Sequence, residues 1–306
     1  TGVGKFAARV VGAYAKIRRQ FRVPIGRFEG IEEILARIAG TMYRMDAARV
    51  MTCGAVDLGE RPSVISAIIK YHCTEQMRKV ANDGMDVLGG SGICLGPHNM
   101  LGRLYQAAPI GITVEGANIL TRSMIIFGQG AIRCHPYMLK EMRSVTNPDT
   151  KQGLEDFDRL LRQHMVFVFR NAVRSLALGI TGGRLAKAPA SQAHRYYQIA
   201  TRLSAAFALT TDFVLMMLGG RLKRRERISA RLADILTHLY LISALLKQFE
   251  DRREPPDELP LLQWVCEESA HEIQISFEEL FDNLPYRPVA WLLRLMVFPL
   301  GRSFAR

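Results

Sequence analysis

The sequence predicts an all-α chain, a four-helix bundle followed by a helical C-terminal extension. Apolar residues return at helical spacing through almost every segment, no stretch keeps up the alternation of a strand, and Gly and Pro punctuate the periodic runs. With 306 residues, 48% hydrophobic and 23% charged, the chain can bury a full core in one large or two ordinary domains.

The first helix is expected over residues 3–19. The chain opens on Thr1 already in this helical pattern and without a signal peptide, so an N-terminal portion upstream is expected. The second carries Ile31, Ile34, Leu35, Ile38, Met42 and Met45 on one stripe and continues towards Leu58, where GERP stops it. The third covers 63–88, with Ile69, Cys73, Met77, Val80 and Gly84 inward. A Gly/Pro-rich loop, GGSGICLGPHNMLG, follows. The fourth is expected to start near Glu115 and to turn Leu120, Met124, Phe127 and Ala131 inward. These four make a bundle over 1–135. The stretch 136–152, rich in turn residues and charge, reads as a linker. Further helices are expected over 153–183, 190–219, 225–250, 257–282 and 285–298, forming an extension over 153–306.

The net charge of +12 is spread along the chain, with 19 basic and 12 acidic residues in 1–150 and 22 and 17 in 151–306. One cluster stands out, RLKRRERISAR at 221–231, readable as a solvated helix start or as a surface for an anionic partner. No nucleic-acid recognition motif accompanies it, and no nucleic-acid partner is expected. The longest run free of Asp, Glu, Lys and Arg, 87–102, is Gly-rich, so no membrane span is expected. The closing WLLRLMVFPLGR can pack on the helices or lie on a membrane surface. Five scattered cysteines without a C-x-x-C pair predict reduced, buried thiols in a cytosolic compartment. The seven histidines show no ligand spacing, and no metal is expected.

Three segments carry candidate chemistry. In YAKIRRQFRVPIGRFEGI, Arg18 and Arg19 can complement the negative end of a helix dipole. They can also fork onto a phosphate or pyrophosphate, with Phe21 offering a flat surface beside a cofactor ring. In DVLGGSGI, Gly89, Gly90 and Gly92 can be a helix C-cap or a place where backbone approaches a ligand. The run follows a helix, not a strand, so it does not fit the dinucleotide-binding fingerprint. In IGITVEGANILTR, Glu115 can compensate a helix N-terminus. The apolar residues ahead of it would also desolvate it as a proton-abstracting base requires, with Gly116 leaving room for a substrate carbonyl.

The order YxxxRRQFxxPIGxFEGI, a long helix, DxLGGSGI, and then VEGANxLxR closely resembles the C-terminal helical domain of acyl-CoA dehydrogenases. HPYMLKEM and the closing VFPLGR resemble the extension of the bacterial long-chain branch that degrades fatty acids. The resemblance implies α,β-dehydrogenation of a fatty acyl-CoA to trans-2-enoyl-CoA in fatty acid β-oxidation, with Glu115 as base and Gly116 beside the substrate. It implies FAD as cofactor, held by Arg18, Gln20 and Phe21, often from the neighbouring subunit, and by Gly89 and Gly90 near the adenine end. It further implies electron-transfer flavoprotein as acceptor, a homo-oligomer, and a cytoplasmic location, with peripheral contact at the inner membrane as a variant. The fragment alone is expected to be inactive.

Two positions depart from the family pattern. Asp86 stands where Gln is usual, and Ala117 replaces a Thr whose hydroxyl would reach the cofactor, leaving Asn118 as a candidate substitute. An alternative reading makes the chain a helical dimerisation or membrane-docking module without its own catalysis.

Overall fold

The computed structural model describes residues 1–304, and of Arg133 the backbone alone. The chain divides into two compact units. Residues 1–121 join with 243–266, and 122–242 join with 267–306.

In the first unit, helices α1 (Gly2–Ile17), α2 (Glu29–Asp57) and α3 (Ser63–Leu88) follow the apolar periodicity to within about two residues. After the short α4 (Gly90–Ile93) comes α5 (Gly102–Thr113), which the apolar periodicity does not predict. Its signal is obscured by Gly102, Gly111 and the interior Pro109, which donates no backbone hydrogen bond. Helices α1, α2 and α5 all pack on α3. Between them lie Val11, Ala15, Ile38, Met42, Met45, Val80, Val87 and Leu101. Burial of each larger aliphatic chain contributes about 1.5–3 kcal/mol. Gly84 permits this approach, since a Cβ there would sit 2.6 Å from Leu101 Cδ2 and 2.9 Å from Val11 Cγ2.

The segment after Glu115 departs from expectation. The helix does not begin at Glu115 but at α6 (Asn118–Leu120), because Glu115 and Gly116 take φ of 58° and 100°. It then widens into a π-helix over Thr121–Gln129 before α7 (Gly130–Cys134). π-Helical turns are rare and recur at functional sites.

The second unit contains α8 (Met138–Val145), α9 (Thr150–Ile180), α10 (His194–Leu218) and α13 (Arg287–Val297), with parts of α11 (Glu226–Asp251) and α12 (Leu259–Asn283). The stretch 136–152 thus holds a helix of its own. Asp149 caps α9, accepting from the backbone N–H of Lys151 and Gln152 at 3.1 Å each. Helices α8, α10 and α13 pack on α9.

Two expectations need correction. Among the described residues, two helices, over His194–Arg224 and Glu226–Asp251, are long and apolar enough to cross a membrane. Scattered charges such as Asp212 hide this from a search for uncharged runs. Their most apolar stretches are 56% and 72% buried within the chain, as core helices are. The cysteines are free, but Cys53, Cys94 and Cys134 are exposed and only Cys266 is buried.

Candidate functional site

The Arg18–Phe21 segment leaves α1 as a two-strand hairpin, β1 (Arg19–Gln20) against β2 (Val23–Pro24), with Gln20 opposite Val23. The two residues at its tip, Phe21 and Arg22, both have positive φ, 49° and 71°. This is the hairpin turn that Asn-Gly normally supplies. A non-glycine side chain there costs about 1–2 kcal/mol per residue. The turn presents Phe21 to solvent at 89% exposure, steadied by an edge contact with Phe28 at 6.4 Å. Arg18 and Gln20 are exposed beside it.

The glycine loop is joined to the same end of the bundle. Tyr14, one turn before Arg18, hydrogen-bonds Ser91 Oγ at 3.2 Å. Gly89 has φ 56° and ψ −133°, a conformation reserved for glycine. A Cβ at Gly89 or Gly90 would meet nothing within 4 Å, so the backbone lies open to a ligand. A groove of about 820 Å³ runs past this loop, lined by Phe6, Arg9, Tyr14, Ser91, Pro97 and Asn99.

Glu115 sits elsewhere. Its turn is tied to Lys70, which lies 18 residues before Leu88 on α3, roughly 27 Å along the helix axis. The structure therefore gathers the first two motifs and holds the third apart. Glu115 is exposed, and so are Thr113 and Val114, so the residues ahead of it do not bury it within this chain. Asn118 is not a replacement donor towards a cofactor. It is 2% exposed, accepts from Lys70 Nζ through Oδ1 at 2.7 Å, and donates through Nδ2 to Thr74 Oγ1 (2.9 Å) and Glu75 Oε1 (2.8 Å).

A second polar cluster, in the other unit, was invisible to sequence spacing because its members lie at 135, 141, 164 and 212. Possible metal-ligand atoms of His135, His164 and Asp212 lie within 4.8 Å of one another. The hydrogen bonds show what fills the space. His135 Nδ1 accepts from the N–H groups of Tyr137 and Met138 at 3.2 Å each, capping α8, so Nε2–H donates to Asp212 Oδ1 at 2.7 Å. His164 Nε2 lies 3.2 Å from the same oxygen and its Nδ1 2.8 Å from Glu141 Oε1, within hydrogen-bond reach of both carboxylates. An ion on His135 Nε2 would leave Nδ1 either anionic or carrying a hydrogen against two N–H donors. The donor set therefore suits shared protons better than a cation. Tyr137 stacks on His164 at 5.2 Å. The cluster ties the start of α8 to α9 and α10.

An all-helical fold with an Arg-x-x-Phe turn, an open glycine loop and a Glu-Gly turn defines the C-terminal helical part of a flavin-linked acyl-CoA dehydrogenase. Residues 132–306 match the family described as acyl-CoA dehydrogenase, C-terminal, bacterial type, and residues 2–128 match the acyl-CoA dehydrogenase C-terminal domain. The chain belongs to the acyl-CoA dehydrogenase family. Among curated relatives, it is similar to glutaryl-CoA dehydrogenase of Desulfococcus multivorans, 31% identical over 138 residues (43% of this chain, 34% of that one). It is also similar to acyl-CoA dehydrogenase FadE34 of Mycobacterium tuberculosis, 28% identical over 134 residues (43% of this chain, 19% of that one). A crystal structure of an acyl-CoA dehydrogenase complexed with FAD from Bacillus anthracis superposes with a TM-score of 0.73 at 17% identity, covering all of this chain and 51% of that one. The chain thus spans about half of that structure and about a third or less of these curated relatives.

Proposed function

We propose that the protein to which this chain belongs is an FAD-dependent dehydrogenase that converts long-chain fatty acyl-CoA to trans-2-enoyl-CoA in fatty acid β-oxidation. The observation that carries the proposal is Glu115 on its left-handed Glu-Gly turn, exposed and fixed in place, third in order after the Arg18–Phe21 hairpin and the Gly89–Gly90 loop. In this reading the Glu115 carboxylate takes the α-proton of the thioester, and Gly116 leaves its backbone clear for the thioester carbonyl. FAD, when bound, supplies the hydride acceptor.

The residues present fit that cofactor. Arg18 and Gln20 offer exposed donors, Phe21 an exposed aromatic face, and Gly89 and Gly90 an unobstructed backbone. The separation along α3 supports a homo-oligomer, in which the Phe21 hairpin and Glu115 of one subunit serve different flavins. The flavin-facing part is then 1–135 and the extension 153–306, with electron-transfer flavoprotein as acceptor and a cytoplasmic setting.

A second reading, peripheral contact of the extension with lipid, is favoured by the outer face of α13, where Trp291 is 68% and Leu295 58% exposed.

Full-length protein is expected to purify yellow and to lose its flavin absorbance on mixing with palmitoyl-CoA. Glu115→Gln should keep the flavin and slow its reduction by about 10²–10⁴-fold. Colourless full-length protein that cannot be reconstituted with FAD would sink the proposal, and undiminished reduction in the variant would remove Glu115 from its role.

A further inference from the structure

The turn that carries Glu115 cannot hold itself. Helix α5 ends at Thr113 and α6 starts at Asn118, and between them two consecutive residues take left-handed φ, one of them not glycine. Such backbone persists only where the surroundings over-determine it.

The brace is a single side chain on α3. Lys70 is half-buried, and its ammonium has three hydrogens and three acceptors. It donates to the carbonyl of Gly116 at 2.6 Å, to Asn118 Oδ1 at 2.7 Å and to the carbonyl of Ile112 at 3.3 Å. These acceptors lie on the last turn of α5, on the residue after Glu115 and on the first residue of α6. One cation therefore spans both sides of the turn and draws it onto α3. Asn118 completes the clamp, for its amide reaches Thr74 and Glu75, one turn further along α3, and Glu75 is itself paired with Arg78 at 2.6 Å. The amide can face only one way, with its oxygen towards the ammonium and its nitrogen towards the hydroxyl and carboxylate. A neutral or flat donor in place of Lys70 could not satisfy three converging oxygens.

Resting on the reading of Glu115 as the base, we infer that Lys70 is a positioning residue for proton abstraction, holding the Glu115–Gly116 turn at the geometry the substrate requires. Lys70 touches only backbone and Asn118 among its hydrogen-bond partners, so its effect reaches the reaction through the turn. Misplacing a reacting group by about 1 Å can cost on the order of 100-fold in rate.

The test uses the full-length holoenzyme and stopped-flow reduction of its flavin by palmitoyl-CoA. Lys70→Met, which keeps the stem and removes the ammonium, should retain flavin and slow the limiting reduction rate at least tenfold. The concentration of palmitoyl-CoA giving half that rate should move less than threefold. Lys70→Arg, which restores charge but not three-way convergence, should recover part of the rate. If Lys70→Met loses its flavin or fails to fold, Lys70→Arg alone carries the test through its own slowed reduction. A wild-type reduction rate in the flavin-loaded variant would overturn the positioning role. Running Glu115→Gln alongside separates the two claims, because unimpaired reduction there overturns the base itself, whatever Lys70 does.

Discussion

Phe21 and Arg22 show at single residues how this chain departs from local preference. Both occupy left-handed backbone at the tip of a two-residue hairpin, a place usually given to Asn-Gly. Arg22 enters the turn's hydrogen bonding through its backbone carbonyl, which accepts from Arg19 Nη1 at 3.4 Å. Arg22→Gly should therefore relieve strain and stabilise the protein by about 1 kcal/mol, offset in part by the entropy of the unfolded chain. The measurement is the urea midpoint at constant slope, and a lower midpoint would show that the arginine steadies the turn. The residues of all three motifs could be read from sequence because each is a short, ordered run. Their conformations could not, since nothing in RRQFRV announces two positive φ values without glycine, and nothing in TVEGAN says that Asn118 turns inward. Lys70 left no signal either. Its partners include two backbone carbonyls 42 and 46 residues away, which have no sequence identity to recognise.

Among the elements, the long helices were legible because each carries an uninterrupted apolar stripe, and α3 falls on the expected 63–88. The missed element, α5, is short and carries Gly and Pro, and the π-helix shares its spacing too closely with an α-helix to be told apart by eye. Pairings between helices are the other blind spot. Asp46 on α2 accepts from Lys5 on α1 at 2.7 Å and from Arg49 at 2.8 Å, with Arg252 3.8 Å away. Burial works to raise the Asp46 carboxyl, but the Lys5 and Arg49 hydrogen bonds outweigh it and hold the group below the usual carboxylate range. A carboxyl lowered on folding stabilises the fold above its unfolded value of about 3.9 and loses that contribution as pH falls through the folded value. Asp46→Asn should thus destabilise the protein at pH 7 by about 1 kcal/mol, since both cations are half-exposed and screened, and the gap from wild type should begin to narrow below about pH 4. Thermal melts from pH 3 to 7 check this, and parallel curves for the two proteins would contradict it.

Across the whole molecule, apolar helices serve two ends. α10 and α11 are hydrophobic enough to span a bilayer but turn that character inward. α13 divides it, burying Leu293 and Val297 while Trp291, Leu292 and Leu295 face out. Chain segment 219–227 adds the charge such a face would use. Arg221, Lys223, Arg224 and Arg227 are exposed, and Arg227 shares a surface pocket with Glu279 and Asn283, at the end of α12 from which α13 departs. The arginines of α13 itself contribute less, because Arg294 is paired with Asp282 at 2.9 Å. An apolar face inserted at headgroup depth beside a basic group binds anionic lipid through both, and salt weakens the second part within a Debye length of about 8 Å. Full-length protein should therefore float with vesicles containing phosphatidylglycerol, less so at 0.5 M salt. Trp291→Glu with Leu295→Glu should remain at the bottom of the gradient while keeping wild-type flavin reduction. Equal flotation of the double variant would place lipid contact away from α13. Failure of the wild type to float would leave this outward face without a lipid partner and return α13 to a packing role.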